Sequence, residues 1–254
     1  MAGLAGNLTQ WARALLSRPA LAPDGLPFPP LRLIHAVAGT KDTGWFWQGG
    51  QLGARAIVEL LARRGHTPAD FPRILDFGCG CGRVIRHVAA LAPAARLHGT
   101  DYNPALVDWC RRALPVAEFS QNDLAPPTRH ADSAFDLVYA FSVFTHLTEP
   151  LQHAWLAELR RITRPGGLII ITTHGDRYLE KLAGDDRATF QRGETVVWSG
   201  DDAGKNRCAT FHPPAYVRDR LAPAAALEVL EFVAEGALGN PHQDAWLLRR
   251  PAGA

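Results

Sequence analysis

Long hydrophobic runs are missing from this chain of 254 residues, and none approaches the roughly 18 apolar residues that a membrane-spanning helix needs. The first residues, MAGLAGNLTQWARALL, also lack the basic segment and apolar stretch that are typical of a secretory signal peptide. We therefore expect a cytoplasmic protein with reduced thiols and no membrane partner.

A concentrated basic surface is also absent from the sequence. The formal net charge is only +2, and many of the arginines occur as scattered pairs instead of forming one stripe. Lysines and arginines clustered on one face are the usual mark of a nucleic-acid partner, so we do not expect such a partner here.

Cysteine is scarce, with four residues in the whole chain: Cys79, Cys81, Cys110 and Cys208. Metal and redox sites favour the spacing Cys-x-x-Cys with further ligands nearby, whereas one residue separates Cys79 from Cys81. We therefore expect no metal site. We interpret the stretch LDFGCGCGR, residues 75–83, as a glycine loop that contains cysteines.

From residue 71 onward, segments typical of strands alternate with segments typical of helices. Strands are predicted at RILDF, ARLHGTD, AEFSQND, FDLVYAFS and LIIITTHG, and helices at GRVIRHVAALAP, NPALVDWCRRAL and TEPLQHAWLAELRRITRPGG. This order predicts an α/β fold with a parallel, doubly wound sheet. A further helix is predicted earlier, at QLGARAIVELLARRG, and two short strands, a short helix and a terminal strand pair are predicted later.

The glycine loop lies between the first strand and the first helix of the alternating part, where doubly wound folds hold a nucleotide-like ligand. Its pattern is D-x-G-x-G-x-G, formed by Asp76, Gly78, Gly80 and Gly82, and differs from the G-x-G-x-x-G that suits a pyrophosphate. With ILDFGCGCGR the chain resembles the class I S-adenosylmethionine-dependent methyltransferases at their first signature. Their cofactor is a zwitterion without phosphate, which suits an aspartate beside bare loop amides.

Later segments resemble the further signatures of the same family and follow in the same order. They are Asp101-Tyr102, QND, FDLVYAFSVFTHL, LRRITRPGGLIIITT and the terminal strand pair. The resemblance covers residues 71–175 well and the last 30 residues loosely. It implies a Rossmann-like, seven-stranded sheet whose last strand is antiparallel. We expect a single methyltransferase domain with an N-terminal cap (1–70), a cofactor-binding core (71–175), a lid-like insertion after strand 5 (176–212) and a closing helix and β-hairpin (213–254).

The resemblance implies S-adenosylmethionine as the cofactor and S-adenosylhomocysteine as its product. Asp101 would accept hydrogen bonds from both ribose hydroxyls, Tyr102 would flank the adenine, and Asp123 would accept from its amino group. The complete set of expected cofactor-binding residues is Asp76, Phe77, Gly78, Cys79, Gly80, Asp101, Tyr102, Asn122, Asp123, Leu124, Phe141 and Ser142. Simpler interpretations stay open for three of them: a charge at a helix N-terminus for Asp101, a turn residue for Asp123 and core packing for Phe141.

Methyl transfer requires the acceptor to be held in line with the cofactor's methyl group in a dry site, and a hydroxyl acceptor also needs a base. His146 and His174 follow the fourth and fifth strands and are the expected catalytic residues, because a histidine that titrates near neutrality is a natural general base. The acceptor pocket is expected to include Trp45, Phe46, Trp198, His212, His242 and Asp244.

Alternatives stay open for these pocket residues. The aromatic residues of WFWQGG, which include Trp45 and Phe46, either close over the cofactor or pack the N-terminal segment onto the sheet. His212 has helix capping as its simpler interpretation, and His242 with Asp244 would form a base if the two side chains meet.

The expected function is methyl transfer to an oxygen or nitrogen of a small-molecule acceptor such as a natural product or a sugar. A cap plus an insertion suggests an enclosed pocket, and AFSVF replaces the Asn/Asp-Pro-Pro-aromatic motif of many nucleic-acid methyltransferases. Two alternatives remain: a catalytically silent module that binds S-adenosylmethionine, and an NAD-dependent oxidoreductase with Asp101 on a ribose. The oligomeric state does not follow from the sequence.

Overall fold

The computed structural model describes residues 20–238 and 241–253 of the chain. The first part of the expected cap, residues 1–19, and residues 239–240 of the ALGNPH connection lie outside the described residues. Within the described ranges, none of the helices combines the length and the apolar character that crossing a bilayer requires.

The strands form one large sheet and one hairpin. They are β1 (Arg73–Phe77), β2 (Arg96–Asp101), β3 (Glu118–Gln121), β4 (Phe135–Ala140), β5 (Thr163–Thr173), β6 (Val196–Trp198), β7 (Ala209–Phe211), β8 (Glu228–Val233) and β9 (Asp244–Arg249). The large sheet has seven strands in the order β3-β2-β1-β4-β5-β9-β8, and β6 and β7 pair with each other.

Pairing directions confirm the expected architecture. Strands β1 to β5 pair in parallel, whereas β9 is antiparallel to both of its neighbours, β5 and β8. The chain winds outward from β1 toward β3 and then returns to place β4 on the other side of β1. A crevice therefore opens at the carboxyl ends of β1 and β4, which is where such folds bind their ligands.

The helices are α1 (Leu31–Ala38), α2 (Thr43–Ala62), α3 (Ile85–Leu91), α4 (Pro104–Ala113), α5 (Glu149–Ile162), α6 (Gly184–Gln191), α7 (Pro214–Tyr216) and α8 (Ala222–Ala224), with a π-helical turn at Val217–Leu221 that joins the last two. Short 3₁₀ helices lie at Pro68–Asp70, Phe144–His146, Asp176–Lys181 and Gly200–Asp202. Asn103 caps α4 as expected, because its side chain accepts a hydrogen bond from the amide of Ala105.

Helix α2 begins eight residues before the segment in which the sequence predicts it. The side chain of Asp42 accepts hydrogen bonds from the amides of Gly44 (2.8 Å) and Trp45 (3.1 Å), which makes Asp42 the N-cap residue. WFWQGG is therefore helical and its successive side chains point in different directions around the helix.

Helix α5 ends earlier than predicted, at Ile162, so that Pro165, Gly166 and Gly167 lie inside β5. Thr163 already pairs with Phe135, and Arg164 Nε lies 2.6 Å from Asp136 Oδ1, which holds this stretch against β4. Thr148 precedes α5 as expected, but its side chain makes no capping hydrogen bond.

Both faces of the sheet are covered by apolar side chains. Trp155 and Leu159 of α5 pack with Leu75 on one face, and Ile57 and Leu61 of α2 pack with the strand residues of the other face. The segment 176–212 has a smaller cluster of its own, formed by Tyr178, Leu182, Phe190, Val196 and Phe211. This covering leaves the carboxyl edge of the sheet as the open side of the crevice.

Candidate active site

A cavity of about 390 Å³ lies at the carboxyl ends of β1, β2 and β4. All twelve residues expected at a cofactor site line it: Asp76, Phe77, Gly78, Cys79, Gly80, Asp101, Tyr102, Asn122, Asp123, Leu124, Phe141 and Ser142. The volume lies in the range of pockets that enclose one small ligand.

The glycine loop forms the floor of the cavity. Gly78, Gly80 and Gly82 have φ angles of +73°, +56° and +76°, which residues with a side chain rarely adopt. A Cβ on Gly78 would also lie 2.3 Å from a methyl group of Val143, so no larger residue fits there. The glycines therefore provide the tight turn that brings backbone amides to the ligand.

The cysteines of the loop are packing residues in this structure. Cys79, Cys81, Cys110 and Cys208 are all free and buried, and the thiols of Cys79 and Cys110 lie 3.7 Å and 3.5 Å from the carbonyl oxygen of Gly80. The hydrogen bond with Cys110, together with burial, raises the pKa of Cys79, and burial raises the pKa of Cys81, which keeps both as neutral thiols.

Asp101 organises the turn after β2. Its Oδ2 accepts from the amide of Gly80 (2.9 Å) and its Oδ1 accepts from the amide of Asn103 (2.8 Å). Burial raises the pKa of Asp101, although these backbone hydrogen bonds oppose the change. The carboxylate is thus fixed at the cavity wall, with lone pairs left for a ligand.

Two buried charged side chains in the cavity have polar atoms without a partner among the described residues. These atoms are Oδ2 of Asp76 and Nη1 of Arg83, and the two residues are 3% and 6% exposed. Burial raises the pKa of Asp76 to about 7 and lowers the pKa of Arg83 below its ordinary value. The two opposite charges attract each other, but the two atoms still lack hydrogen bonds from the described part of the chain, so this arrangement is complementary to a ligand with one positive and one negative group.

The roof of the cavity comes from the expected N-terminal cap and the expected insertion, but from short segments in which the sequence analysis singled out no residue. Residues 35–37 of α1 and residues 204–207 of the insertion line the cavity, and Nδ2 of Asn206 donates to the carbonyl of Ala36 (2.9 Å). Gly204 lies over Tyr102 and Leu124, because a Cβ on it would come within 2.6 Å of Leu124 and 3.3 Å of the Tyr102 ring. Neither segment contains a motif that identifies it as part of the cavity. Gly204 is the one residue with a recognisable feature, because a glycine in a loop often marks a close contact.

His146 lines the cavity with one ring nitrogen already committed. Its Nδ1 lies 2.7 Å from the carbonyl oxygen of Cys208, and a carbonyl can only accept, so Nδ1 carries the proton. Nε2 is then an acceptor, and it makes no hydrogen bond to the described residues. Burial lowers the pKa of His146, so its neutral form prevails near pH 7.

The other expected histidines lie behind the cavity wall. His174 is stacked on Tyr178 with 4.1 Å between ring centroids, and His212 is fully buried with its Nε2 3.0 Å from Oε1 of Gln152. Burial lowers the pKa of each to about 3, and neither residue lines the cavity. The structure therefore does not support His174 as a base or His212 as an acceptor contact.

The aromatic residues expected in the acceptor pocket also lie elsewhere. Phe46 is fully buried and packs edge-on against Phe28, while Trp198 packs edge-on against Phe211 and donates to Asp186. Trp45 is exposed and lies 5.5 Å from the guanidinium of Arg83, a cation–π contact outside the cavity lining. The helical conformation of WFWQGG explains the separation of Trp45 from Phe46.

His242 and Asp244 do not form a pair. His242 is exposed, with Nδ1 2.9 Å from a carboxylate oxygen of Glu235, whereas Asp244 is buried and accepts from the amide of Glu235. Burial raises the pKa of Asp244 to about 6. The residue between them, Gln243, is the one whose side chain reaches toward the cavity, through Ser142 (3.0 Å).

Comparison with known proteins agrees with this geometry. A protein-family profile described as "Methyltransferase domain" matches residues 74–167, which include the glycine loop and strands β1 to β4. Together with the sheet order, this match supports the resemblance to the class I S-adenosylmethionine-dependent methyltransferases.

Among curated proteins, the chain is similar to trans-aconitate 2-methyltransferase of Methylobacterium radiotolerans, with 35% identity over 68% of this chain and 64% of the relative. It is also similar to malonyl-[acyl-carrier protein] O-methyltransferase of Halalkalibacterium halodurans, with 30% identity over 48% of this chain and 46% of that relative. The chain thus covers less than two thirds of the length of either relative.

A solved structure shares the fold over most of the chain. It is 1,6-didemethyltoxoflavin-N1-methyltransferase of Burkholderia thailandensis with bound S-adenosylhomocysteine, with a TM-score of 0.55 and 16% identity over 92% of this chain and 96% of that one. At this identity the likeness concerns the fold alone.

Proposed function

We propose that this protein transfers a methyl group from S-adenosylmethionine to a small-molecule acceptor. The observation that carries the proposal is the pair of unpartnered buried atoms, Oδ2 of Asp76 and Nη1 of Arg83, beside the glycine loop. The methionine part of the cofactor ends in an ammonium and a carboxylate group. Asp76 would hold the ammonium, and Arg83 would hold the carboxylate.

The remaining cavity residues suit the nucleoside part of the cofactor. Asp101 keeps free lone pairs for the ribose hydroxyls, and Tyr102 and Leu124 offer apolar surface to the adenine from below residue 204. Asp123 would accept from the adenine amino group. When bound, the cofactor supplies an electrophilic methyl group on its sulfonium sulfur.

We further propose that the acceptor is a carboxylate. A hydroxyl acceptor needs a base, whereas His174 and His212 have pKa values of about 3 and lie outside the cavity lining, and the pKa of His146 is lowered. A carboxylic acid is already ionised at neutral pH and needs no base. The names of both curated relatives, which specify trans-aconitate and malonyl-[acyl-carrier protein], denote carboxylic acids.

On this proposal, His146 contacts the acceptor side of the cavity and does not remove a proton. Its neutral ring, fixed by the carbonyl of Cys208, excludes water from one side of the site and orients the acceptor. Arg83 carries a single positive charge. The carboxylate of the cofactor would neutralise this charge, so we do not assign Arg83 to the acceptor.

Cofactor binding is tested by calorimetric titration of the purified protein with S-adenosylhomocysteine, with Asp101→Ala as the comparison. We expect about micromolar binding by the wild-type protein and its loss in the variant. Folded wild-type protein that does not bind would contradict the proposal.

The acceptor class is tested with S-adenosylmethionine labelled in the methyl group. The purified protein is incubated with small di- and tricarboxylic acids, and in parallel with matched alcohols and amines. A methyl ester releases methanol in alkali, whereas an ether or an N-methyl group does not, so we expect volatile label only from the acids. Alkali-stable label would overturn the carboxylate acceptor, and binding without any transfer would favour the silent module.

A further inference from the structure

Gln243 occupies the centre of a buried polar network that joins the cavity wall to the insertion. It is 1% exposed and lies just before β9. Its Oε1 accepts hydrogen bonds from the hydroxyls of Thr172 (2.7 Å) and Ser142 (3.0 Å), and its Nε2 lies 3.4 Å from Nε2 of His174.

The hydrogen bonds of this network share one donor-to-acceptor direction, from Ser142 through Thr172, Gln243 and His174 to Thr210. Nδ1 of His174 lies 3.1 Å from the carbonyl oxygen of Thr210 and therefore carries the proton, which leaves Nε2 as an acceptor. The amide nitrogen of Gln243 must then face His174, and its oxygen must face Thr172. Thr172 donates to that oxygen, so its own lone pair accepts from the amide of Ser142 (2.8 Å).

The chain of bonds ends on a residue with an unfavourable backbone conformation. Ser142 has a φ angle of +58°, in the left-handed region that favours glycine, and it lines the cavity two residues after the end of β4. Such a conformation persists only where surrounding contacts hold it. Here both the amide and the hydroxyl of Ser142 are bound, and both bonds lead to Gln243, directly or through Thr172.

We propose that Gln243 is a positioning residue, which holds Ser142 in the left-handed conformation and so sets the cavity wall on which the cofactor rests. His174 and Thr210 fix the orientation of the Gln243 amide. Because Thr210 belongs to strand β7 of the insertion, a shift of β7 would change the cavity wall through Gln243. The inference rests on the proposed function, because it takes the ligand of the cavity to be S-adenosylmethionine or its product.

A four-protein comparison tests the proposal: wild type, Gln243→Ala, Ser142→Gly and the double variant, each titrated with S-adenosylhomocysteine. Without Gln243 the serine relaxes, and we expect affinity to fall about tenfold. Glycine adopts a positive φ without cost, so in the Ser142→Gly background the loss should shrink to about twofold. Thermal unfolding of each protein shows whether it is folded.

The outcomes separate the possible explanations. An unchanged affinity in Gln243→Ala, or the same loss in both backgrounds, would overturn the positioning role while leaving the proposed function intact. If wild-type protein does not bind at all, the proposed function fails and this inference fails with it.

A second measurement needs no change at Gln243. The nitrogen chemical shifts of the His174 ring in wild-type protein report its tautomer, with His174→Ala used to assign the signals. We expect a neutral ring with the proton on Nδ1. A proton on Nε2 would reverse the direction of the chain and overturn the inference.

Discussion

Nδ1 of His146 donates to the carbonyl oxygen of Cys208 across 2.7 Å, which joins the 3₁₀ turn after β4 to the start of β7. The bond commits one ring nitrogen and leaves the other as an acceptor at the cavity. In His146, Nδ1 therefore has a structural role, whereas Nε2 is available to a ligand. The two roles can be separated by mutation.

Asparagine places its amide nitrogen near the position of Nδ1, and glutamine places it near Nε2. We expect His146→Asn to keep the bond to Cys208 and to bind S-adenosylhomocysteine within threefold of wild type, but to lower kcat/KM for the acceptor about tenfold. His153→Asn is the control, because His153 of α5 bonds to the hydroxyl of Tyr216 and does not line the cavity. Equal turnover in His146→Asn and wild type would remove His146 from the site.

Arg83 and Arg86 allow a matched comparison close to the start of α3. Arg86 forms a buried ion pair with Asp24 (2.7 Å), whereas Nη1 of Arg83 has no partner among the described residues. We expect Arg83→Met to weaken S-adenosylhomocysteine binding by about 2 kcal/mol, which is roughly thirtyfold. Arg86→Met should lower the melting temperature and leave affinity nearly unchanged. The opposite pattern in calorimetry and thermal unfolding would show that Arg83 is structural.

Affinity for the cofactor product should depend on pH through Asp76. The pKa of Asp76 is raised to about 7 by burial, and only the ionised carboxylate attracts an ammonium group. We therefore expect binding to weaken as the pH falls through about 7, by up to tenfold for each unit below it. Asp76→Asn should bind weakly at every pH, without this dependence. A wild-type affinity that is flat between pH 5 and 8 would contradict the assignment.

The same carboxylate should lower the stability of the empty protein. Because the folded pKa of about 7 exceeds the ordinary value of 3.8, the folded state holds the proton more tightly than the unfolded state between these values. The free energy of unfolding should therefore fall as the pH rises from about 4 to about 7 and then level off. We expect Asp76→Asn to be more stable than wild type by about 2–4 kcal/mol at pH 8 and nearly equal at pH 4, measured by urea unfolding.

Neighbouring aromatic residues at the start of α2 should respond differently to truncation. Phe46 is fully buried, so Phe46→Ala should cost about 3–5 kcal/mol of stability, whereas Trp45→Ala should cost less than about 1 kcal/mol because Trp45 is exposed. If Phe46 instead lined the acceptor pocket, as the sequence suggests, Phe46→Ala would raise the KM for the acceptor with little change in the fold. Unfolding midpoints of the two variants, with acceptor kinetics where the protein stays folded, decide between these expectations.

The elements that build the cavity floor could be predicted from local sequence. The D-x-G-x-G-x-G pattern, the strand ends at Asp101 and Phe141, and the cap at Asn103 each have a short-range chemical cause, and the structure brings all of them together. Arg83 follows the last glycine directly and has no such pattern of its own. Only its burial without a partner reveals it.

The acceptor side could not be predicted in the same way, since its residues come from distant segments whose orientation depends on packing. For WFWQGG the sequence leaves open whether the aromatic side chains cover the cofactor or pack the N-terminal segment. The Asp42 cap sets the helical phase, and in that phase Phe46 is buried against Phe28. Near the C-terminus, His242 and Asp244 are the residues with obvious chemistry, but the backbone turns the side chain of Gln243 inward. Alternation along the chain decides to which side of the sheet each neighbouring side chain points, and a sequence without a fixed register does not show it.

The roof over the cavity has a consequence for how the protein comes into being. Asn206 and Ala36, which meet above the cavity, are 170 residues apart in the chain. During synthesis from the N-terminus, the residues of the glycine loop and of the strands β1 and β2 emerge long before Asn206 does, so the roof is the last part of the cavity wall to become available. A ligand is enclosed only after most of the chain has left the ribosome, and its capture therefore marks a nearly complete fold.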